Sequence, residues 1–240
     1  MKNKTVTLDE AMAVIHDGQT IGFSDAHGMF AADELIAGLL EKGVRDITAV
    51  SNSGGNPYEG VGLLIKNHRI KKLITTHTGM NPEAIRQINA GELEVEYCPM
   101  GTWIERQHAA AAGLGGCLTP TGVGTEVAEG KQVLNIDGRD YILEKPLGTD
   151  VALVKATKAD TAGNVHFRMN ALSGNDTLAL ASKFVIVEVE ELVEFGSLGP
   201  EEIHLPAPCV DMVYLRTGEK RYWPQNWYNF KAAEERKGDR

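Results

Sequence analysis

The sequence predicts an α/β protein built on an open, mostly parallel sheet with covering helices. Three observations carry this. Four strand–loop–helix units follow one another in the first half of the chain. Each loop is polar, carries glycine or proline, and sits at the C-terminal end of its strand. No Pro/Gly/Ser-rich linker divides the chain and no segment repeats at a fixed period. Serial strand–helix units imply parallel strands with helices on the faces. Open sheets of this kind bind ligands at the edge where the strands end.

The elements follow in order. Thr7-Leu-Asp-Glu10 fits a capping box, with hydroxyl and carboxylate satisfying the opening amides of a helix. That helix runs through Ala11 and Ile15 and is expected to stop near Asp17-Gly18. Thr20-Ile-Gly-Phe23 is a short buried strand that enters the loop Ser24-Asp-Ala-His-Gly28. A helix over Ala31–Lys42 places Leu35, Leu39 and Leu40 on one face and ends at Gly43. Strand Ile47–Val50 leads to the loop Ser51-Asn-Ser-Gly-Gly-Asn-Pro57 and a helix over Val61–Lys66. Strand Leu73–His77 leads to Thr78-Gly-Met-Asn-Pro82 and a helix over Glu83–Ala90. Strand Leu93–Cys98 leads to Pro99-Met-Gly-Thr102 and a helix over Trp103–Ala112.

The second half reads differently. Gly113 to Thr125 is rich in glycine and poor in charge. Lys131–Leu143 is a hairpin turning at Asp137-Gly138. Asp150–Ala156 and Phe184–Val189 are strong strands, the second beginning buried and ending half-exposed. Asp211–Leu215 is a last short strand. We read residues 1–216 as one domain and 217–240 as an aromatic arm, since Arg221 to Phe230 holds two of the three tryptophans. Such an arm needs a surface to lie on: a companion subunit, a second copy or its own helix layer.

Composition excludes several functions. The 24 Lys and Arg against 33 Asp and Glu leave a formal net charge of -9. No basic run offers a nucleic-acid footprint, and the acidity disfavours anionic membranes. The N-terminus has no apolar signal segment and no window is long enough to span a bilayer, so the expected location is the cytoplasm. The cysteines Cys98, Cys117 and Cys209 are odd in number and form no CxxC, which argues against a disulfide framework or zinc site. They read as small buried apolar residues. No metal or prosthetic group is expected.

There is no GxSxG, HExxH or GxxxxGK[ST] motif. His166 and His204 read as solvated loop residues, and His68 belongs to the exposed basic stretch Lys66–Lys72. Ser24, Asp25, Ala26, His27 and Gly28 form the most reactive-looking loop, with hydroxyl, carboxylate and imidazole close together at the predicted ligand edge. The alternative is a polar turn with Asp25 on local amides. A self-contained Ser–His–Asp triad is disfavoured, because triads draw on separate elements. Asn52, Gly79, Asn81, Met100, Gly101 and Thr102 lie in the equivalent loops of the next three units and complete the candidate binding set. In the glycine-rich block, Gly116, Thr119, Thr121, Gly122 and Gly124 offer amides and hydroxyls with little bulk, for a ligand or for a tight turn.

Several segments together resemble the alpha subunit of type I coenzyme A-transferases, in particular the bacterial acetate/acetoacetate and 3-oxoacid enzymes. They are Gly43-Val-Arg-Asp-Ile-Thr48, Gly91-Glu-Leu-Glu-Val-Glu96 with Pro99-Met-Gly-Thr102, the block Gly113–Thr125 with Glu129-Gly-Lys131, and Ala152-Leu-Val-Lys-Ala156 through Asn164. Val187-Glu-Val-Glu-Glu-Leu192 and Pro200-Glu-Glu-Ile-His204 extend the likeness, which covers roughly residues 4–215. It implies a CoA-transferase (sugar-isomerase-like) fold that works beside a beta subunit, in an α2β2 assembly. It also implies that CoA, the acyl-carrying substrate, passes through a glutamyl thioester on that beta subunit. No match to the beta motif is found here, and Glu105, Glu126 and Glu129 read as surface or structural carboxylates. No catalytic residue is therefore assigned to this chain, which alone is expected to be inactive.

The departures fall on the loops. The family's Gly-Gly-Phe becomes Ser24-Asp25-Ala26, and its Gly-x-Pro becomes Phe30-Ala31-Ala32. Pro-Gln-Gly-Thr becomes Pro99-Met100-Gly101-Thr102, and His108 stands where relatives carry Arg. Two glycines of that helix are Ala110 and Ala111, and the stretch from Met169 to Asn175 also differs. These changes suggest a different acid, with Asp25 and His27 reading a polar or cationic substituent beside the carboxylate. Two other readings remain: a same-fold acyl-CoA hydrolase or C–C bond-cleaving enzyme with His27 guiding water, and a non-catalytic scaffold subunit.

Overall fold

The computed structural model describes residues 2–25, 30–172 and 174–218. Ala26, His27, Gly28 and the arm from 219 onward lie outside the described residues. In chain order the elements are β1 (Thr5–Val6), α1 (Leu8–Ala13), β2 (Thr20–Phe23), α2 (Asp33–Lys42), β3 (Ile47–Ser51), α3 (Gly60–Lys66), β4 (Ile70–Thr75), α4 (Pro82–Asn89), β5 (Glu94–Tyr97) and α5 (Met100–Ala111). There follow β6 (Cys117–Thr119), β7 (Val133–Ile136), β8 (Arg139–Glu144), β9 (Val151–Asp160), β10 (Val165–His166), α6 (Asn175–Leu180), β11 (Val185–Val193) and β12 (Met212–Leu215).

The main sheet runs β1-β12-β11-β9-β2-β3-β4-β5, with every neighbouring pair parallel. Only β10 is antiparallel, on β9. A second, antiparallel sheet has the order β6-β8-β7. The predicted open parallel sheet is therefore present.

Both faces of the main sheet are covered, which is why its strands read as apolar runs. One face packs Ile21, Ala49, Leu73, Leu153 and Ile186 against Leu35, Leu39, Leu64 and Ile65 of α2 and α3. On the opposite face, Ala152, Val154, Val185 and Val187 meet Leu178 and Ala179 of α6. There too, Val50 and Ile74 meet Trp103 of α5. Adjacent residues Ala49 and Val50 thus serve opposite faces, as the pleat dictates.

Local signals mostly hold. Thr7 and Glu10 form the full capping box. Asp137 (φ 52°) and Gly138 (φ 80°) make the hairpin turn, both left-handed as a type I′ turn requires. Other boundaries move. Helix α1 stops at Ala13, before the left-handed Gly18. Helix α5 begins at Met100, so the expected loop Met100–Thr102 is its first turn. The extended Pro99 serves as the cap, and a glycine in a first turn leaves no sequence mark of the boundary. Strands β9 and β11 are longer than expected, and β1, β6, β10 and α6 are additions.

Three side-chain expectations also change. His166 and His204 are not simply solvated: their rings stack with centroids 4.8 Å apart. His204 Nδ1 also accepts the Phe167 N–H at 3.0 Å. Among the cysteines, all free, only Cys98 is buried, whereas Cys117 and Cys209 are partly exposed. Glu188, expected near the exposed end of its strand, is fully buried. Among the described residues no helix is long and apolar enough to cross a membrane.

The end of β12 is fastened to the start of α2 by Glu34. Its Oε2 accepts from the Tyr214 hydroxyl at 2.6 Å and from the N–H and hydroxyl of Thr217 at 3.0 and 3.3 Å. Its Oε1 accepts the Gly218 N–H at 2.7 Å. Partial burial alone would push this carboxyl up. The four donors, with Arg216 nearby, outweigh it and hold the pKa at about 2. The unfolded chain therefore takes up a proton here first as pH falls. The Glu34 contribution is present above the ordinary glutamate range and is lost as pH drops through about 2. Glu34→Gln is expected to flatten the acid limb of a stability–pH profile measured by urea titration between those limits. An unchanged slope would contradict the assignment.

A second expectation concerns Gly62 on α3. A Cβ there would overlap the carbonyl of Asn56, a backbone group that cannot swing aside. Gly62→Ala should lower stability by about 1–3 kcal/mol through overpacking, read as a lower urea midpoint at unchanged slope.

Candidate functional site

Because β2, β3, β4 and β5 are parallel neighbours, the loops that follow them line up along one edge. The structure shows how they are joined. Ser24, which is buried, donates from Oγ to the Phe30 carbonyl at 2.8 Å and accepts the Lys155 N–H at 2.7 Å. It thus ties both ends of the β2–α2 connection to β9. Asp25 is 5% exposed, and its Oδ2 accepts the Val61 N–H in the first turn of α3 at 2.7 Å.

The next two loops are joined by Asn81. Its Oδ1 accepts the Glu83 and Ala84 N–H groups, each at 3.1 Å, which caps α4. Its Nδ2 donates to the Gly54 carbonyl at 2.7 Å. Asn81 is fully buried. The Asn52 carbonyl accepts both the N–H and the hydroxyl of Thr76, and Thr78 Oγ1 meets the Tyr97 hydroxyl at 2.6 Å.

The predicted set therefore divides in two. Ser24, Asp25 and Asn81 hold loops together. Gly79, Met100 and Gly101 are exposed and Asn52 is half-buried, so these line the open side of the edge. At Gly79 and Gly101 no atom lies within 4 Å of where a Cβ would stand. Helix α5 starts here with no side-chain cap on its first-turn amides. Thr102 Oγ1 is buried at the same helix end without a hydrogen-bond partner. A helix start with free amides suits a carboxylate or a polarised carbonyl. Three carboxylates near the edge are engaged: Asp25 at Val61, Glu59 Oε2 with Asn56 Nδ2 at 3.4 Å, and Glu83 with Arg86.

The glycine-rich block lies elsewhere in this chain. It begins at the far end of α5, about 18 Å along a helix of this length from Met100. Gly116 runs so close to β8 that a Cβ would overlap the Glu144 carbonyl. Gly122 and Gly124 are left-handed at φ 92° and 77°, in the turn after β6. Thr119 Oγ1 accepts the Thr121 N–H within that turn. Glu105, Glu126 and Glu129 are exposed, as read from the sequence.

Sequence reasoning missed the ionic cluster beneath the first loop. Lys155 on β9 stands in register with Glu188 on β11. Lys155 Nζ lies 3.1 Å from Glu188 Oε1 and 2.6 Å from Glu190 Oε1. Arg216 Nη1 also reaches Glu190 Oε1, at 3.1 Å. Glu188 Oε2 accepts the N–H groups of Glu34 and Leu35, the first turn of α2, at 2.9 and 3.1 Å. Burial pushes the Glu188 carboxyl up, against the pull of Lys155 and the α2 amide of Leu35. The available signal was Lys155 and Glu188 following apolar runs in two strands, each with further charges beyond it. Among the described residues no group of three or more His, Cys, Asp or Glu is placed to hold a metal ion.

Comparison with known proteins gives these features a family. The Coenzyme A transferase family model matches residues 5–216. The chain is 43% identical over 220 residues to the alpha chain of the acetate CoA-transferase of Escherichia coli K12, covering 92% of this chain and 100% of that one. It is 45% identical over 213 residues to one subunit of the probable succinyl-CoA:3-ketoacid coenzyme A transferase of Bacillus subtilis, covering 88% and 89%. In fold it is similar to an acyl-CoA transferase of Escherichia coli O157:H7 solved as a thioester complex with CoA. The TM-score there is 0.80 at 22% identity, over 93% of this chain. The chain spans about half the length of that solved protein, 49%. On the family match and the two close relatives, the chain belongs to the coenzyme A transferase family.

Proposed function

We propose that the chain is the alpha subunit of a heteromeric transferase that moves CoA from an acyl-CoA to a short-chain carboxylic acid, polar-substituted or 3-oxo. The observation that carries this is 43–45% identity, over most of the chain, to proteins whose names make each of them one subunit of a CoA-transferase. Those names point to a companion subunit. A solved acyl-CoA transferase chain about twice as long is consistent with a second half of similar size. We place that half on a beta subunit, in an α2β2 complex in the cytoplasm.

In this reading the beta subunit brings a glutamate. Its carboxylate attacks the thioester carbonyl, expelling CoA thiolate and leaving a mixed anhydride. The thiolate then attacks the glutamyl carbonyl, which releases the first acid and leaves glutamyl-CoA. The acceptor acid runs both exchanges in reverse. The alpha chain contributes the edge formed by Asn52, Gly79, Met100 and Gly101, and the open start of α5. First-turn amides there would stabilise negative charge developing on the thioester oxygen. His27, which lies outside the described residues, stays a candidate from sequence for contact with a polar substituent on the acid.

Co-expression with the neighbouring subunit, followed by an acyl-CoA and acid panel read by mass spectrometry, tests this. Transfer should require both subunits and an acid acceptor, and a glutamyl-CoA adduct should form on the companion chain. Free CoA released without an acceptor would instead show a water-using enzyme. No turnover with any acid would leave a scaffold role.

A further inference from the structure

Helix α3 has an unusual start. Glu59 holds its N-cap position but makes no side-chain capping bond. The donor of the first turn is satisfied from another loop: the Val61 N–H is taken by Asp25 Oδ2 at 2.7 Å. The fit is close. Gly60 has φ +55° and no side chain, and a Cβ there would overlap Asp25 Oδ2. The residue before Asp25 is equally committed, with Ser24 Oγ bridging the Phe30 carbonyl and the Lys155 N–H. Asp25 as a whole is 5% exposed, so little of it faces solvent.

We propose that Asp25 is a positioning residue: it fastens the β2–α2 loop to α3, so that the first two loops of the substrate edge move as one body. It acts on the acid through the loop and not by pairing with a charge on the substrate. This rests on the reading of that edge as the acid site. A clasp of this kind raises the fraction of molecules in the binding-competent arrangement. Losing it weakens apparent affinity by that fraction for every acid alike. A charge-reading Asp25 would penalise only acids that carry the complementary substituent.

The test uses the co-expressed complex and four variants: Asp25→Asn, Asp25→Gly, Gly60→Ala and the Asp25→Gly/Gly60→Ala double. Asparagine keeps an acceptor for the Val61 N–H, so Asp25→Asn should retain KM and the ranking of acids. Asp25→Gly should raise KM for unsubstituted, hydroxy and amino acids by one common factor, about tenfold if the clasped state falls to a tenth of the population. Gly60→Ala should impair the normal protein more than it impairs the Asp25→Gly protein, because the overlap is with Asp25 itself. Loss of discrimination in Asp25→Asn, with unsubstituted acids unaffected, would overturn the proposal, as would strictly additive effects in the cycle. Hydrogen exchange of residues 60–66 gives a readout that needs no turnover. It should quicken in Asp25→Gly and stay slow in Asp25→Asn, and equal rates in all variants would overturn the clasp. If the exchange behaves as expected while no acid is turned over, the clasp stands and the transferase reading fails.

Discussion

The edge that carries the loops depends on one buried pair, Lys155 and Glu188. They face each other in register on β9 and β11, the two longest strands of the sheet. Glu188 does two things at once. One oxygen meets Lys155, and the other takes the second and third amides of α2, those of Glu34 and Leu35. That second contact fixes where α2 starts, and hence where the β2–α2 connection must end. Such a pair is an expensive way to join two strands, because desolvating two ions can outweigh their attraction, while leaving one without the other costs about 3–5 kcal/mol. Here it joins three elements at one carboxylate: β11 carries Glu188, β9 supplies Lys155 and α2 supplies the amides of Glu34 and Leu35. The surrounding charges are unbalanced in the same direction. Among the described residues Glu34, Glu188 and Glu190 pair with the cations Lys155 and Arg216, and Glu190 Oε2 is buried without a partner.

From that anchor the loops are joined in sequence. Ser24 ties the first to β9, Asp25 ties it to α3, and Asn81 ties the second loop to the third. Each uses a buried side chain to satisfy backbone groups that strand or helix ends leave over. The edge is thus held from below, and its upper side is left to small or exposed groups at Gly79, Met100 and Gly101. Preorganised amides are worth most where they need not move to meet a developing charge.

The architecture is legible in the sequence because it is periodic. Strand, polar loop and helix recur, and each apolar run is short and complete. The four loops stand out as candidates from position alone. What each loop residue does is not legible. Asp25 is a polar residue in a glycine-bearing loop, and nothing local separates a ligand contact from a bond to a helix that starts dozens of residues away. Asn81 caps its own helix α4, but its bond to the Gly54 carbonyl is equally non-local. Val61 becomes a neighbour of Asp25 only once two strands pair. The Lys155–Glu188 contact has a sequence signal, two opposite charges in buried strands. In sequence it reads as the end of burial, because period-two alternation says nothing about a cross-strand partner. The stacked pair His166 and His204 is hidden for the same reason. The start of α5 is masked by Gly101, a residue that suits a loop and a first turn equally.

The net charge of -9 bears on the proposed anionic substrates, and several cations of the chain are already engaged within it. Lys155 and Arg216, beneath the first loop, are buried and paired with Glu188, Glu190 and Glu34. Arg106, on the buried face of α5, is held by Glu96 at 2.8 Å and by the Lys145 carbonyl. In the proposed reading, backbone amides at the uncapped start of α5 would attract a developing oxyanion without holding a free carboxylate so tightly that it could not leave. A reaction that both binds and releases carboxylic acids benefits from that difference, since only interactions stronger in the transition state than in the bound acid speed turnover.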